Sequence, residues 1–81
     1  MPTVKNVKGP YRFFFYSFDC NEPKHVHVHR ENNVCKFWLE PIALCKNNGF
    51  SPQELNTIRE MIQKNQKKIL EAWDEHCNPS S

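Results

Sequence analysis

Glycine is nearly absent from the chain, two residues in 81, and neither Gly-x-x-x-x-Gly-Lys nor Gly-x-Gly-x-x-Gly occurs. A backbone that cradles a phosphate needs such glycines, so nucleotide-dependent chemistry of the P-loop and Rossmann kinds is excluded. There is no nucleophile elbow and no His-Glu-x-x-His helix, which removes the common hydrolase signatures. No apolar run approaches the roughly 20 residues of a bilayer-crossing helix, and no basic leader precedes an apolar segment with a small-residue cleavage site. These absences predict a soluble, cytoplasmic protein with no membrane contact. Net charge is only +2, too small to imply a nucleic-acid partner by itself. Cys20, Cys35, Cys45 and Cys77 are scattered without a Cys-x-x-Cys pair, so zinc-ribbon and thioredoxin arrangements are excluded and four free thiols are expected.

What is abundant is aromatic character, 12% of the chain and mostly before residue 40. That content demands a folded core, and the length allows one domain, residues 1–78, with 79–81 as a short tail. Thr3 to Val7 alternates weakly and reads as an edge strand, separated by a Lys8-Gly9-Pro10 turn from Tyr11-Arg12-Phe13-Phe14-Phe15-Tyr16-Ser17, a strand with strong β preference. Asp19, Asn21 and Pro23 mark a loop. Lys24-His25-Val26-His27-Val28-His29 alternates strictly, which puts three imidazoles on one face of a strand and two valines on the other. Glu31-Asn32-Asn33 then turns the chain into Val34-Cys35-Lys36-Phe37-Trp38-Leu39, an antiparallel partner.

Pro41, Ile42, Leu44 and Cys45 suggest a short helix closed by Asn47-Asn48-Gly49. Ser51-Pro52-Gln53-Glu54 is a capping box, and Phe50 before it can staple onto Leu55. From there Leu55, Ile58, Ile62, Asn65, Ile69, Ala72 and His76 recur at spacings of three and four, widened by Trp73, and predict one long helix ending at Asn78-Pro79. The fold class is therefore α+β: a three- to four-stranded antiparallel meander packed against a short helix and a long C-terminal helix. Val26, Val28, Phe37, Leu39, Ile58, Ile62, Ile69 and Trp73 form the expected core. The far end of the helical stripe, from Asn65 on, offers a surface for a homodimer.

The imidazole face carries the candidate chemistry. His25 and His27 lie roughly 7 Å apart along one face and can converge on one zinc-like ion, whereas His29, roughly 13 Å from His25, cannot join them without a bend. A third ligand must come from Asp19, Cys20, Glu22 or His76. On this reading zinc or another divalent ion binds; otherwise no cofactor is expected. Lys36 and Trp38 belong to the same face, joined by either Arg12, Phe14 and Tyr16 or Tyr11, Phe13 and Phe15. The candidate binding residues are thus His25, His27, Lys36, Trp38, Arg12 and Tyr16. Such a surface fits a protein partner best, because apolar patches on small chains of low charge mark protein contacts. It could also stack bases of a nucleic acid, and a histidine general acid or base would make it a small nuclease.

Tyr11 to Ser17, Pro23-Lys24-His25-Val26-His27-Val28, Lys36-Phe37-Trp38-Leu39-Glu40-Pro41, Asn48-Gly49-Phe50-Ser51 and Ile69-Leu70-Glu71-Ala72-Trp73 together resemble the small bacterial family called domain of unknown function 4160. The resemblance runs through nearly the whole chain. It implies a gene context like that of toxin and antitoxin pairs, and hence a cognate small protein encoded nearby as partner. His29 and the four cysteines depart from the family pattern, so no family role passes to them.

Overall fold

The computed structural model describes residues 3, 4, 7 and 9–78. Strands β1 (Arg12–Phe14), β2 (His25–Arg30), β3 (Asn33–Leu39) and β4 (Ile42–Asn48) form one antiparallel sheet in chain order, followed by helices α1 (Pro52–Lys64) and α2 (Gln66–Cys77). The α+β class and the meander are as the alternation predicts. Three elements differ from the sequence reading.

The expected short helix is strand β4. Its reason lies at the turn: Leu39 pairs with Ile42, so Glu40 and Pro41 make a two-residue hairpin connection and Pro41 does not open a helix. Once that hairpin closes, β3 offers its free edge and the backbone of residues 42–48 satisfies its hydrogen bonds there. Asn47 does not cap a helix either. Its side chain accepts from the Phe50 amide at 3.1 Å and donates to the Phe50 carbonyl at 2.9 Å, shaping the bend into α1. Gly49 sits in that bend at φ +107°, and a Cβ there would run into the Asn33 side chain.

The expected long helix is interrupted at Asn65, whose backbone leaves helical geometry (φ −113°, ψ 15°). The Asn65 amide side chain donates to the Met61 carbonyl at 2.8 Å, a local bond that competes with the helical ladder. Gln66 then donates to the Leu39 carbonyl at 2.7 Å and fixes the start of α2 against the sheet. At the other end of α1 the cap forms as expected, with Ser51 Oγ accepting from the Glu54 amide at 3.2 Å. Glu54 completes no reciprocal bond to Ser51 among the described contacts. Its carboxylate instead takes the Tyr11 hydroxyl at 3.3 Å and faces Arg30 at 3.8 Å, tying α1 to the sheet.

Phe37, Leu39, Val26, Val28, Ile58, Ile62 and Ile69 are completely buried and share one cluster with Trp73. The register explains why: Val28 pairs with Phe13 and Cys35, and Val26 with Phe37, so one sheet face is continuous and apolar and the helices lie on it. Each such side chain contributes about 1.5–3 kcal/mol by leaving water. The expected N-terminal edge strand is reduced to a bridge between Thr3 and Phe14 and a 2.8 Å bond from the Val4 amide to the Phe13 carbonyl. Residues 5 and 6 of that segment, residue 8 of the turn after it and the 79–81 tail lie outside the described residues. No helix among the described residues is long and apolar enough to cross a membrane.

The cysteines are not four free thiols. Cys20, in the loop before β2, is disulfide-bonded to Cys77 at the end of α2, 57 residues away. Scattered positions gave no spacing motif because the fold, not the sequence, brings the two sulfurs together. Cys35 is buried and Cys45 exposed, both free.

Candidate metal centre

Strand alternation puts His25, His27 and His29 on the face opposite the core, but their environments differ sharply. His25 is completely buried, His27 is half-buried and His29 is exposed. Residues 17–24, together with Trp73 of α2 against the His25 ring, cause the difference. The 17–24 segment forms a loop with a single 3-10 turn (Asp19–Asn21) that folds over the start of β2, and the Cys20–Cys77 disulfide fastens that loop to α2. The loop delivers Asp19, itself only 2% exposed, onto the two imidazoles.

Asp19 Oδ1 lies 3.2 Å from His25 Nε2, and Asp19 Oδ2 lies 3.1 Å from His27 Nε2. Oδ2 also accepts the Tyr16 amide at 2.7 Å, which anchors the carboxylate in place. Of the four residues from which sequence suggested a third ligand, Asp19 is the one the fold brings beside both histidines: one candidate ligand atom each from Asp19, His25 and His27 lie within 4.8 Å of one another. Ligand atoms about 2.0–2.1 Å from a tetrahedral zinc are themselves about 3.3 Å apart, close to the two separations found here.

The tautomer of His25 sharpens this. Its Nδ1 is 2.8 Å from the Pro23 carbonyl, which can only accept, so Nδ1 carries the hydrogen. In the neutral ring Nε2 is then a lone pair, and it is the one buried side-chain nitrogen or oxygen among the described residues with no hydrogen-bond partner. Its 3.2 Å approach to Asp19 lacks hydrogen-bond geometry and sets a lone pair against a carboxylate. A backbone carbonyl holding the far nitrogen of a histidine is the usual way of orienting a metal ligand. Burial also pushes the His27 pKa down, against the opposing pull of Asp19. Its Nε2 is hydrogen-bonded to the Asp19 carboxylate, which can only accept, so in the neutral ring Nε2 carries the hydrogen and an ion would bind there only by displacing it.

The surroundings are aromatic and dry on one side. The His25 ring lies 5.1 Å from Trp73 and 5.7 Å from Trp38, and His27 stacks on Phe14 at 5.4 Å with Tyr16 edge-on at 4.7 Å. The structure thereby chooses between the two aromatic sets, with Arg12 opposite His29 and Phe14 opposite His27 on the imidazole face. On the other side a groove of about 520 Å³ opens, lined by Tyr16, Phe18, Asp19, His27, Lys36 and Lys46 among others. Phe18 is 64% exposed and stacks on Tyr16 at 5.4 Å and 6°. Lys36 is bonded to Glu22 at 2.6 Å and lies 4.7 Å from the Trp38 ring centroid. That bond holds the exposed Glu22 carboxyl below its ordinary range.

The sequence-derived residues are therefore brought together unequally. His25, His27 and Tyr16 converge around Asp19, Lys36 and Trp38 flank them, and Arg12 stands at the outer end of the sheet beside His29. Phe18 and the His25–Pro23 bond carry no sequence signal. The model of the domain of unknown function DUF4160 matches residues 11–74, which include every strand, the Asp19 loop and most of both helices. The chain belongs to the DUF4160 family. No curated protein and no solved structure matches it. In this DUF4160 chain the matched segment contains Asp19, His25 and His27 but stops short of His76 and Cys77.

Proposed function

We propose that this DUF4160 protein is a metal-binding module in which Asp19, His25 and His27 hold one divalent ion of the zinc class beneath a groove that receives a protein partner. The observation that carries the metal is the buried His25 Nε2, a lone pair without a partner whose ring is fixed by the Pro23 carbonyl and whose neighbours are a carboxylate and a second neutral imidazole. A cation satisfies all three groups at once, where a proton satisfies only one pair.

The partner reading is supported by Phe18. A large ring left mostly in water, backed by Tyr16 at the mouth of the groove, is the kind of anchor that protein contacts bury. A cognate small protein encoded beside this one is the occupant that the toxin–antitoxin-like context of the family suggests. Isothermal titration with zinc tests the metal, at about pH 7.5 and about pH 5.5, either side of the ordinary imidazole pKa of about 6.5. Stoichiometric binding at the higher pH that weakens at the lower one, and that vanishes in a His25→Ala, His27→Ala double variant, is expected. No binding by the native protein sinks the metal. Co-purification with the neighbouring gene's product, lost on Phe18→Ala, tests the partner.

A further inference from the structure

A second cluster lies at the disulfide. One ligand atom each from Cys20, Cys77 and His76 lie within 4.8 Å of one another. We infer that, when the Cys20–Cys77 bond is reduced, these three side chains become a thiolate-rich binding site for zinc or another soft divalent ion, so that disulfide and metal are alternative occupants of the same two sulfurs. This inference does not rest on the Asp19 centre, which uses no sulfur.

The ring of His76 is already set for the role. Its Nε2 lies 2.9 Å from the Tyr16 carbonyl, so Nε2 carries the hydrogen and Nδ1 is left as the lone-pair nitrogen. The ring also stacks on Phe15 at 5.7 Å and 14°, which restricts its orientation. A histidine held through one nitrogen by a backbone carbonyl presents the other to a metal. Two thiolates and one imidazole are a recognised zinc donor set, with the remaining position open to water. Cys20 is exposed and Cys77 half-buried, so a reductant can reach the bond.

The chemistry balances with one named co-reactant in each direction. A dithiol reductant supplies two electrons and two protons, becoming a disulfide itself, and Cys20 and Cys77 become thiols. A divalent ion then displaces both thiol protons into solvent and is held by two thiolates and His76. In the reverse direction a second co-reactant, a disulfide oxidant such as oxidised glutathione, takes up the two electrons and becomes two thiols, the Cys20–Cys77 bond re-forms and the ion is released.

The loop that this bond fastens is the one carrying Asp19, so the exchange keeps the loop attached to α2 in both states, by a covalent bond in one and by a metal in the other. That is the advantage of putting the donors at this position.

The test uses cobalt as probe, because thiolate ligation gives it a charge-transfer absorption that oxygen and imidazole ligation do not. A Cys45→Ser background removes the exposed free thiol. The oxidised protein should show no such band. After reduction with a phosphine and removal of the reductant under anaerobic conditions, the band should appear with one equivalent more cobalt bound. It should be lost in Cys20→Ser, weakened at least tenfold in affinity by His76→Ala, and retained by His25→Ala, His27→Ala. Zinc should also slow reformation of the disulfide by oxidised glutathione. A reduced protein without the band, whether folded or not, overturns the inference. So does a band that survives Cys20→Ser, or disulfide reformation at a rate indifferent to zinc.

Discussion

Asp19→Asn separates a metal centre from a buried ion pair. In the native site Oδ2 accepts the Tyr16 amide and faces His27 Nε2, while Oδ1 faces His25 Nε2. An asparagine can place its carbonyl oxygen where Oδ2 was, keeping the Tyr16 bond at 2.7 Å and accepting from a His27 Nε2–H. Its amide NH2 then occupies the place of Oδ1 and sets a donor, in place of a charged oxygen, near the lone pair on His25, without the alignment of a full hydrogen bond. Without metal the variant should therefore lie within about 1 kcal/mol of the parent, because a neutral donor replaces a carboxylate set against a lone pair. If His25 were instead a buried cation matched to Asp19, removing the carboxylate would cost about 3–5 kcal/mol. With zinc at a hundred times its dissociation constant, the parent should gain about 2.7 kcal/mol. For a domain of this size that is a rise of roughly 10–20 °C in melting temperature. The variant should show almost none of it. Thermal denaturation of both proteins, with zinc and with chelator, reads all four values. A metal-free variant several kcal/mol less stable than the parent, or a variant with the full zinc response, would refute the reasoning.

Other outcomes follow from the fold. Ser51→Ala removes the acceptor of the Glu54 amide at the start of α1 and should cost about 1 kcal/mol in urea denaturation, whereas an unchanged midpoint would show that the cap contributes nothing. Phe37→Ala empties a fully buried site between the sheet and Arg59 and should cost about 3–5 kcal/mol, which denaturation measures directly. Burial pushes the Cys35 thiol from 9.0 up to about 12, so the folded protein keeps this proton after the unfolded chain has lost it. Stability from Cys35 is thus fully present below about pH 9 and falls as pH rises toward 12, by on the order of 1 kcal/mol near pH 10, and a Cys35→Val variant should lack that part of the alkaline slope.

The parts of this structure that follow local periodicity were legible in the sequence. Alternation in His25-Val26-His27-Val28 and in Cys35 to Leu39 marked two antiparallel strands and the core face, and the Ser51-Pro52 signal located the start of α1. β4 was not legible because it is an edge strand with most positions exposed, so its residues carry no two-sided pattern. The interruption at Asn65 was hidden because Asn65 falls on the apolar stripe at the right spacing; only its side-chain bond to Met61 shows that it breaks the ladder. Half of the candidate site was visible as His-x-His. The other half, Asp19, was one of four candidates that sequence could not choose among, because its approach depends on a loop closed by a disulfide across 57 residues and no local spacing encodes it. The selection of His25 as the buried member, with its tautomer fixed by Pro23, likewise exists only in three dimensions.

Diffraction from zinc-loaded crystals of the oxidised protein, recorded on both sides of the zinc absorption edge, is the measurement that addresses the metal centre most directly. The prediction is one anomalous peak about 2.0–2.1 Å from Asp19, His25 Nε2 and His27 Nε2, with the His25 Nδ1 to Pro23 carbonyl bond retained at about its present length. A peak at His29, at Glu22 or at the surface with none among these three residues would contradict it.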